Sequence, residues 1–143
     1  MKIAIGSDHA GLGLKAAIAA QLKSKGHDVT DLGTHTAESC DYPVYAKAVA
    51  HGVADGSFAR GVLVCGTGQG MAMAANRVPG VRAAVLADTF SARMTAAHND
   101  CNVLCLGARV VGEGLALDLV DVWMATAFEG GRHARRVGMI EAP

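Results

Sequence analysis

Residues 61–70 read Gly61-Val62-Leu63-Val64-Cys65-Gly66-Thr67-Gly68-Gln69-Gly70, and the two halves of this stretch decide the fold. The first half is a continuous apolar run without alternation, the pattern of a strand buried on both faces. The second half places three glycines where a strand turns into a helix, and a short helix over Met71–Asn76 follows. Working toward the N-terminus, Lys2–Gly6 is another short apolar run ending in glycine. Leu14, Ile18 and Leu22 recur at four-residue spacing with lysines elsewhere, which predicts an amphipathic helix over 12–25 closed by Gly26. Asp28–Leu32 is a weaker strand. A polar loop then leads to Pro43, a residue suited to a helix's first turn, and that helix runs to about Asp55. Toward the C-terminus, strands are expected at Arg82–Leu86 and Val103–Leu106, and helices at about 90–97 and 113–127.

Five strands alternating with five helices argue for a parallel sheet covered on both faces. The expected architecture is one α/β domain over residues 1–143, a three-layer α/β/α sandwich of Rossmann-like type. The length agrees, since 143 residues bury roughly 68–70% of the surface that the unfolded chain exposes. With 51% apolar residues, a core needs neither disulfides nor a structural metal. Thirteen Lys+Arg against thirteen Asp+Glu argue against nucleic-acid binding through bulk charge. No apolar run approaches the ~18–20 residues of a membrane span. Gly6 and Asp8 come too early for a signal peptide's apolar stretch. The expected setting is therefore cytoplasmic, with the four cysteines reduced.

In sheets of this kind, ligands bind beyond the carboxyl ends of the strands, where the strand order reverses. Gly6-Ser7-Asp8-His9 follows the first strand, Cys65 and the glycine loop follow the third, and Arg109 follows the fifth. His98-Asn99 lies on the approach to the fifth strand, so a site collecting all of these is expected. The glycines let backbone amides approach an oxyanion or a phosphate closely. The loop is neither a P-loop, lacking GK[ST], nor GxGxxG, having Met71 at the third glycine's place. A tight structural turn is the plainer alternative. Cys65, beside those amides, suits a nucleophile or a proton-abstracting base, and otherwise a core thiol. An imidazole at position 98 can exchange protons near neutral pH, and the Asn99 carboxamide can donate to a developing oxyanion. Asp8 can instead cap the next helix. Arg132 and Arg136 share a face if their segment is helical and could then grip a phosphate; a solvated basic tail is the alternative. Cys101 and Cys105 near His98 have no second pair with zinc-like spacing, and they lie across a loop running into the apolar run Val103–Leu106, where a strand's side chains alternate between faces.

Together these pieces resemble the ribose-5-phosphate isomerase B type, a family that also includes the galactose-6-phosphate isomerase subunits. The resemblance rests on IAIGSDHAG at 3–11, DYP at 41–43, CGTGQGMAMAAN at 65–76, HNDCNVLCLGARVVG at 98–112 and EGGRHARRV at 129–137. It implies that Cys65 is the base moving a proton between C1 and C2 of an open-chain sugar phosphate. It implies that His98 opens the furanose ring. Asp8 and His9 would be substrate contacts, and Gly66, Gly68, Gln69, Gly70 and Asn99 would cradle the enediolate with Thr67 assisting. Arg109, Arg132 and Arg136 would hold the phosphate, with His9 joining them. One branch of the family uses a glutamate in the helix after the glycine loop, but Met71–Ala75 contains no carboxylate, so these residues support the cysteine mechanism alone.

The implied protein is an aldose–ketose isomerase working without metal or redox cofactor, most naturally on ribose 5-phosphate. Its partners would be the small phosphorylated sugar and further copies of itself, as a homodimer or homotetramer with sites at the subunit interface. Neither nucleic acid nor membrane is implied. Three rivals stay open at this point. The first is the same chemistry on allose, galactose or a four-carbon sugar phosphate. The others are a non-catalytic sugar-phosphate-binding protein and a dinucleotide-dependent oxidoreductase.

Overall fold

The computed structural model describes residues 1–142. Its five strands are β1 (Lys2–Ser7), β2 (Asp28–Asp31), β3 (Arg60–Cys65), β4 (Ala83–Val85) and β5 (Val103–Gly107). They form one parallel sheet in the order β2-β1-β3-β5-β4. Its helices are α1 (Leu12–Ser24), α2 (Tyr42–Ala54), α3 (Gln69–Ala75), α4 (Thr89–Asn99), α5 (Glu113–Ala125) and α6 (Arg132–Glu141). This is the expected three-layer α/β/α arrangement with a Rossmann-like sheet. None of the helices among the described residues is long and apolar enough to cross a membrane.

The two core layers follow from the period of two along each strand. Ile3, Ile5, Val62, Val64, Leu104 and Leu106 point to one face and pack against Ile18 and Leu22 of α1, Ala92 and Ala96 of α4, and Leu119, Val120 and Trp123 of α5. Ala4, Leu63, Val103 and Cys105 point to the other and pack against Val49 and Val53 of α2 and Met71 and Ala75 of α3. Because both sides are covered, the strands read as unbroken apolar runs.

Connections that step toward β2 pass over the α1/α4 face and those that step toward β4 pass over the α2/α3 face, as right-handed crossovers require. The chain therefore leaves the neighbouring strands β1 and β3 toward opposite faces, opening a crevice above their carboxyl ends.

The structure departs from the sequence reading mainly at the two ends of the chain's polar segments. A 3-10 turn over His9–Gly11 precedes α1, and the tail from Arg132 folds into a sixth helix. β4 has only three residues and forms one edge of the sheet. Beside it, the Asn76 carboxamide donates to the Ala83 carbonyl at 2.9 Å and accepts the Ala83 N–H at 2.8 Å. A side chain thus stands where a neighbouring strand's backbone would pair.

Candidate active site

Above β1 and β3 the chain gathers one cluster of polar groups. Asp8 follows β1 with its N–H donating to the Val64 carbonyl of β3 at 3.2 Å. Its carboxylate accepts the Ala10 and Gly11 amides at 3.0 and 3.2 Å, so it caps the 3-10 turn, and the mostly buried side chain is held at the crevice. His9 follows, and its Nδ1 accepts the Cys40 amide at 3.3 Å. In the neutral ring that bond leaves the proton on Nε2. Beneath them Lys15, only 2% exposed, donates to the Asp31 carboxylate at 2.7 Å and to the Thr34 carbonyl at 2.5 Å. The ion pair ties the end of β2 to α1, and the bond to Thr34 ties down the segment that follows β2.

Cys65 closes β3 with its side chain 5% exposed. Its Sγ accepts the Gly68 N–H at 3.1 Å, so the glycine loop curls back over the sulfur. That curl depends on Gly68, whose φ of +81° is a left-handed conformation. A Cβ on Gly68 would also lie 3.0 Å from the Leu106 carbonyl carbon. The exposed Thr67 stands at the loop's crest with its Oγ1 accepting the Gln69 amide at 3.3 Å. Backbone bonds from Ala108 to the Cys65 carbonyl and from Arg109 to the Gly66 carbonyl fasten the end of β5 to the loop. The Arg109 guanidinium consequently lies along Gly66. Tyr42, to which the sequence reading assigned no role, lays its ring against Gly70, where a Cβ would come within 2.6 Å of it.

His98, Asn99, Arg132 and Arg136 do not join this cluster within one chain. α4 runs antiparallel to the strands, so its C-terminal residues arrive at the amino edge of the sheet. The register confirms the direction: Val103 pairs with Gly61 and Ala83, while Cys65 pairs with Gly107. Four strand steps separate these levels, about 13 Å. Within one chain, therefore, Asp8, His9, Cys65, the glycine loop and Arg109 come together without His98-Asn99; the sequence leaves open which of the expected contacts belong to a neighbouring chain. Order along the chain was legible, but the helix's direction places these residues below the sheet.

At that lower end a second polar cluster forms. The His98 and His133 rings stack with centroids 4.1 Å apart and planes 3° from parallel. Glu129 Oε2 lies 3.7 Å from His98 Nε2 and 3.6 Å from His133 Nε2. The Glu129 amide donates to the Ala97 carbonyl at 2.9 Å, which pins this tail to the end of α4. Removal from water, the neighbouring His98 and the adjacent Arg132 all push the His133 pKa down. Arg132 and Arg136 lie exposed one turn apart on α6, which makes them neighbours on one helix face. A groove of about 570 Å³ lined by Arg77, Arg82, Thr95 and Asn99 runs beside β4 at this end, away from Cys65.

Sequence reasoning missed Glu129 and His133; their four-residue spacing beside the arginines was the available signal. It considered Cys101 and Cys105 for metal and set them aside. Both are core thiols whose pKa burial pushes up, well up for Cys105. The group with metal-ligand spacing among the described residues is instead His98, Glu129 and His133, whose ligand atoms all lie within 4.8 Å of one another.

Comparison with known proteins extends over almost the whole chain. The family model described as Ribose/Galactose Isomerase matches residues 3–140. Ribose-5-phosphate isomerase B of Escherichia coli is 49% identical over 141 residues, covering 99% of this chain and 95% of that protein. The structure of Clostridium thermocellum ribose-5-phosphate isomerase B superposes with a TM-score of 0.98 at 55% identity, covering 99% of this chain and 95% of the other. Ribose-5-phosphate isomerase B from Mycoplasma genitalium, solved with bound ribulose-5-phosphate, superposes with a TM-score of 0.95 at 43% identity, covering 98% of this chain and 93% of its own.

Proposed function

This chain belongs to the ribose/galactose isomerase family, and from that premise we propose that it interconverts D-ribose 5-phosphate and D-ribulose 5-phosphate through a cis-enediolate. The observation that carries the mechanism is the Cys65 sulfur, held under the Gly68 N–H at the crevice between β1 and β3. Moving a proton from C2 to C1 needs one base, a proton donor for ring opening, and fixed dipoles aimed at the enediolate oxygens. Cys65 as thiolate takes the C2 proton and returns it to C1. The loop amides not already given to Cys65 and Thr67 face the developing oxyanion, with the Thr67 hydroxyl beside them. Asp8 orients the sugar hydroxyls, and Arg109 with His9 Nε2 holds the phosphate as a remote handle that keeps the sugar in register.

The remaining roles need a second copy of the chain. We infer a dimer in which His98 of the partner subunit protonates the ring oxygen, Asn99 of the partner subunit faces the enediolate, and Arg132 and Arg136 of the partner subunit complete the phosphate site. What supports this is the division of the charged groups between opposite ends of one sheet, with Arg109 alone among these three arginines at the Cys65 end. Four free cysteines suit a reducing, cytoplasmic setting.

The test is a panel of four-, five- and six-carbon aldose phosphates assayed for ketose formation, with wild type beside Cys65→Ala. The highest kcat/KM is expected on ribose 5-phosphate. Cys65→Ala is expected to lose turnover while keeping its affinity for a phosphate ligand. A preference for a six- or four-carbon sugar would reassign the substrate, and turnover retained in Cys65→Ala would remove the thiolate from the mechanism.

A further inference from the structure

We propose that His98, Glu129 and His133 form a binding site for a divalent transition cation of the zinc class, and that occupancy takes His98 out of the reaction. The second half of the proposal rests on the ring-opening role given to His98 above; the first half does not.

The donor set is two imidazole nitrogens and one carboxylate, which is zinc chemistry and not magnesium or calcium chemistry. A tetrahedral zinc with bonds of 2.0–2.2 Å places its ligand atoms about 3.3–3.5 Å from one another. Glu129 Oε2 already stands 3.7 and 3.6 Å from the two Nε2 atoms. Closing onto a cation thus needs shifts of a few tenths of an ångström at the carboxylate and a tilt of the His98 ring out of its parallel stack on His133. Glu129 is exposed and His98 about one-third exposed, so the carboxylate can turn and the His98 ring can supply the tilt, whereas His133, on α6, is 7% exposed and held in place. The arrangement therefore has one anchored ligand and two that swing, with the fourth coordination position open to water.

The consequence for turnover is competitive in character. A coordinated imidazole has given its Nε2 lone pair to the metal and can neither hold nor deliver a proton there. The site would not be a cofactor site. It would be a means by which free zinc slows the enzyme, relieved by a chelator. Arg132 and Arg136, on the same helix as His133, oppose the cation and set an electrostatic cost against its binding.

The test uses zinc chloride and, for spectroscopy, cobalt(II) on the intact protein. Cys65→Ala is included because its thiol is the strongest competing ligand. Expected are one zinc per chain by calorimetry in both wild type and Cys65→Ala, and tetrahedral cobalt d–d bands without thiolate charge transfer. Glu129→Gln and His133→Asn should each weaken binding by at least about tenfold. Should His133→Asn fail to fold, Glu129→Gln, an exposed substitution, decides alone. Zinc uptake lost in Cys65→Ala but unchanged in Glu129→Gln would overturn the site in favour of the thiol, and so would absence of binding in every variant. Zinc that binds as described yet leaves ribose 5-phosphate turnover untouched supports the site and overturns its effect on His98.

Discussion

Cys65, Cys101 and Cys105 are three sulfurs with different surroundings, and the differences have measurable results. Burial pushes the pKa of Cys101 and Cys105 up, so both remain protonated in the fold. In the unfolded chain they would ionise near about 8.5. Above that pH the folded state holds protons that the unfolded state has lost, so stability is intact below it and falls as the pH climbs. Urea midpoints at pH 7.5 and 9.5 should show that fall, and a Cys101→Ala/Cys105→Ala variant should show a shallower one; equal slopes would assign the alkaline loss to other groups. At position 98 the expected signature lies in the substrate. His98→Asn should cost far more turnover on a cyclising sugar phosphate than on one that cannot form a ring, read from kcat on both. Equal losses would remove the ring-opening role.

At the level of the elements, the end of β5 serves as the floor of the glycine loop. A Cβ on Gly107 would lie 2.8 Å from the Thr67 backbone, which has no flexible side chain to yield. Gly107→Ala is therefore expected to destabilise the fold by about 1–3 kcal/mol and to lower kcat by displacing the loop from over Cys65, checked by a thermal melt alongside steady-state kinetics. A melt unchanged from wild type would show that the loop rides free of β5. This floor was invisible in the sequence, because Thr67 and Gly107 are forty residues apart and nothing local marks their approach. The strands were legible because burial on both faces leaves unbroken apolar runs such as Val62–Cys65. α6 was not, since arginines dominate its first turns and the one buried side chain along it is His133. The Cys65 end of the site was readable because its members are contiguous in sequence. Where the His98 end meets the rest of the site was not, because residue order carries no statement of how two copies of the chain pack.

For the molecule as a whole, the separation of Cys65 from His98 makes a claim about pairs of chains. If each site takes one end from each protomer, Cys65→Ala and His98→Asn are both inactive alone but complementary together. Unfolded as a mixture and refolded, half of the dimers would be hybrids with one intact site of two, restoring about a quarter of wild-type activity for a twofold assembly. A mixture that stays silent would locate the entire site within one protomer. The Asn76 carboxamide clasping Ala83 has a consequence of another kind. Thirteen cations against thirteen anions give the protein no long-range repulsion to hold its copies apart in solution. An open β-edge would then invite unlimited edge-to-edge pairing between copies. By occupying both hydrogen-bonding groups of that edge residue, one amide helps a neutral polypeptide stay dispersed at high concentration.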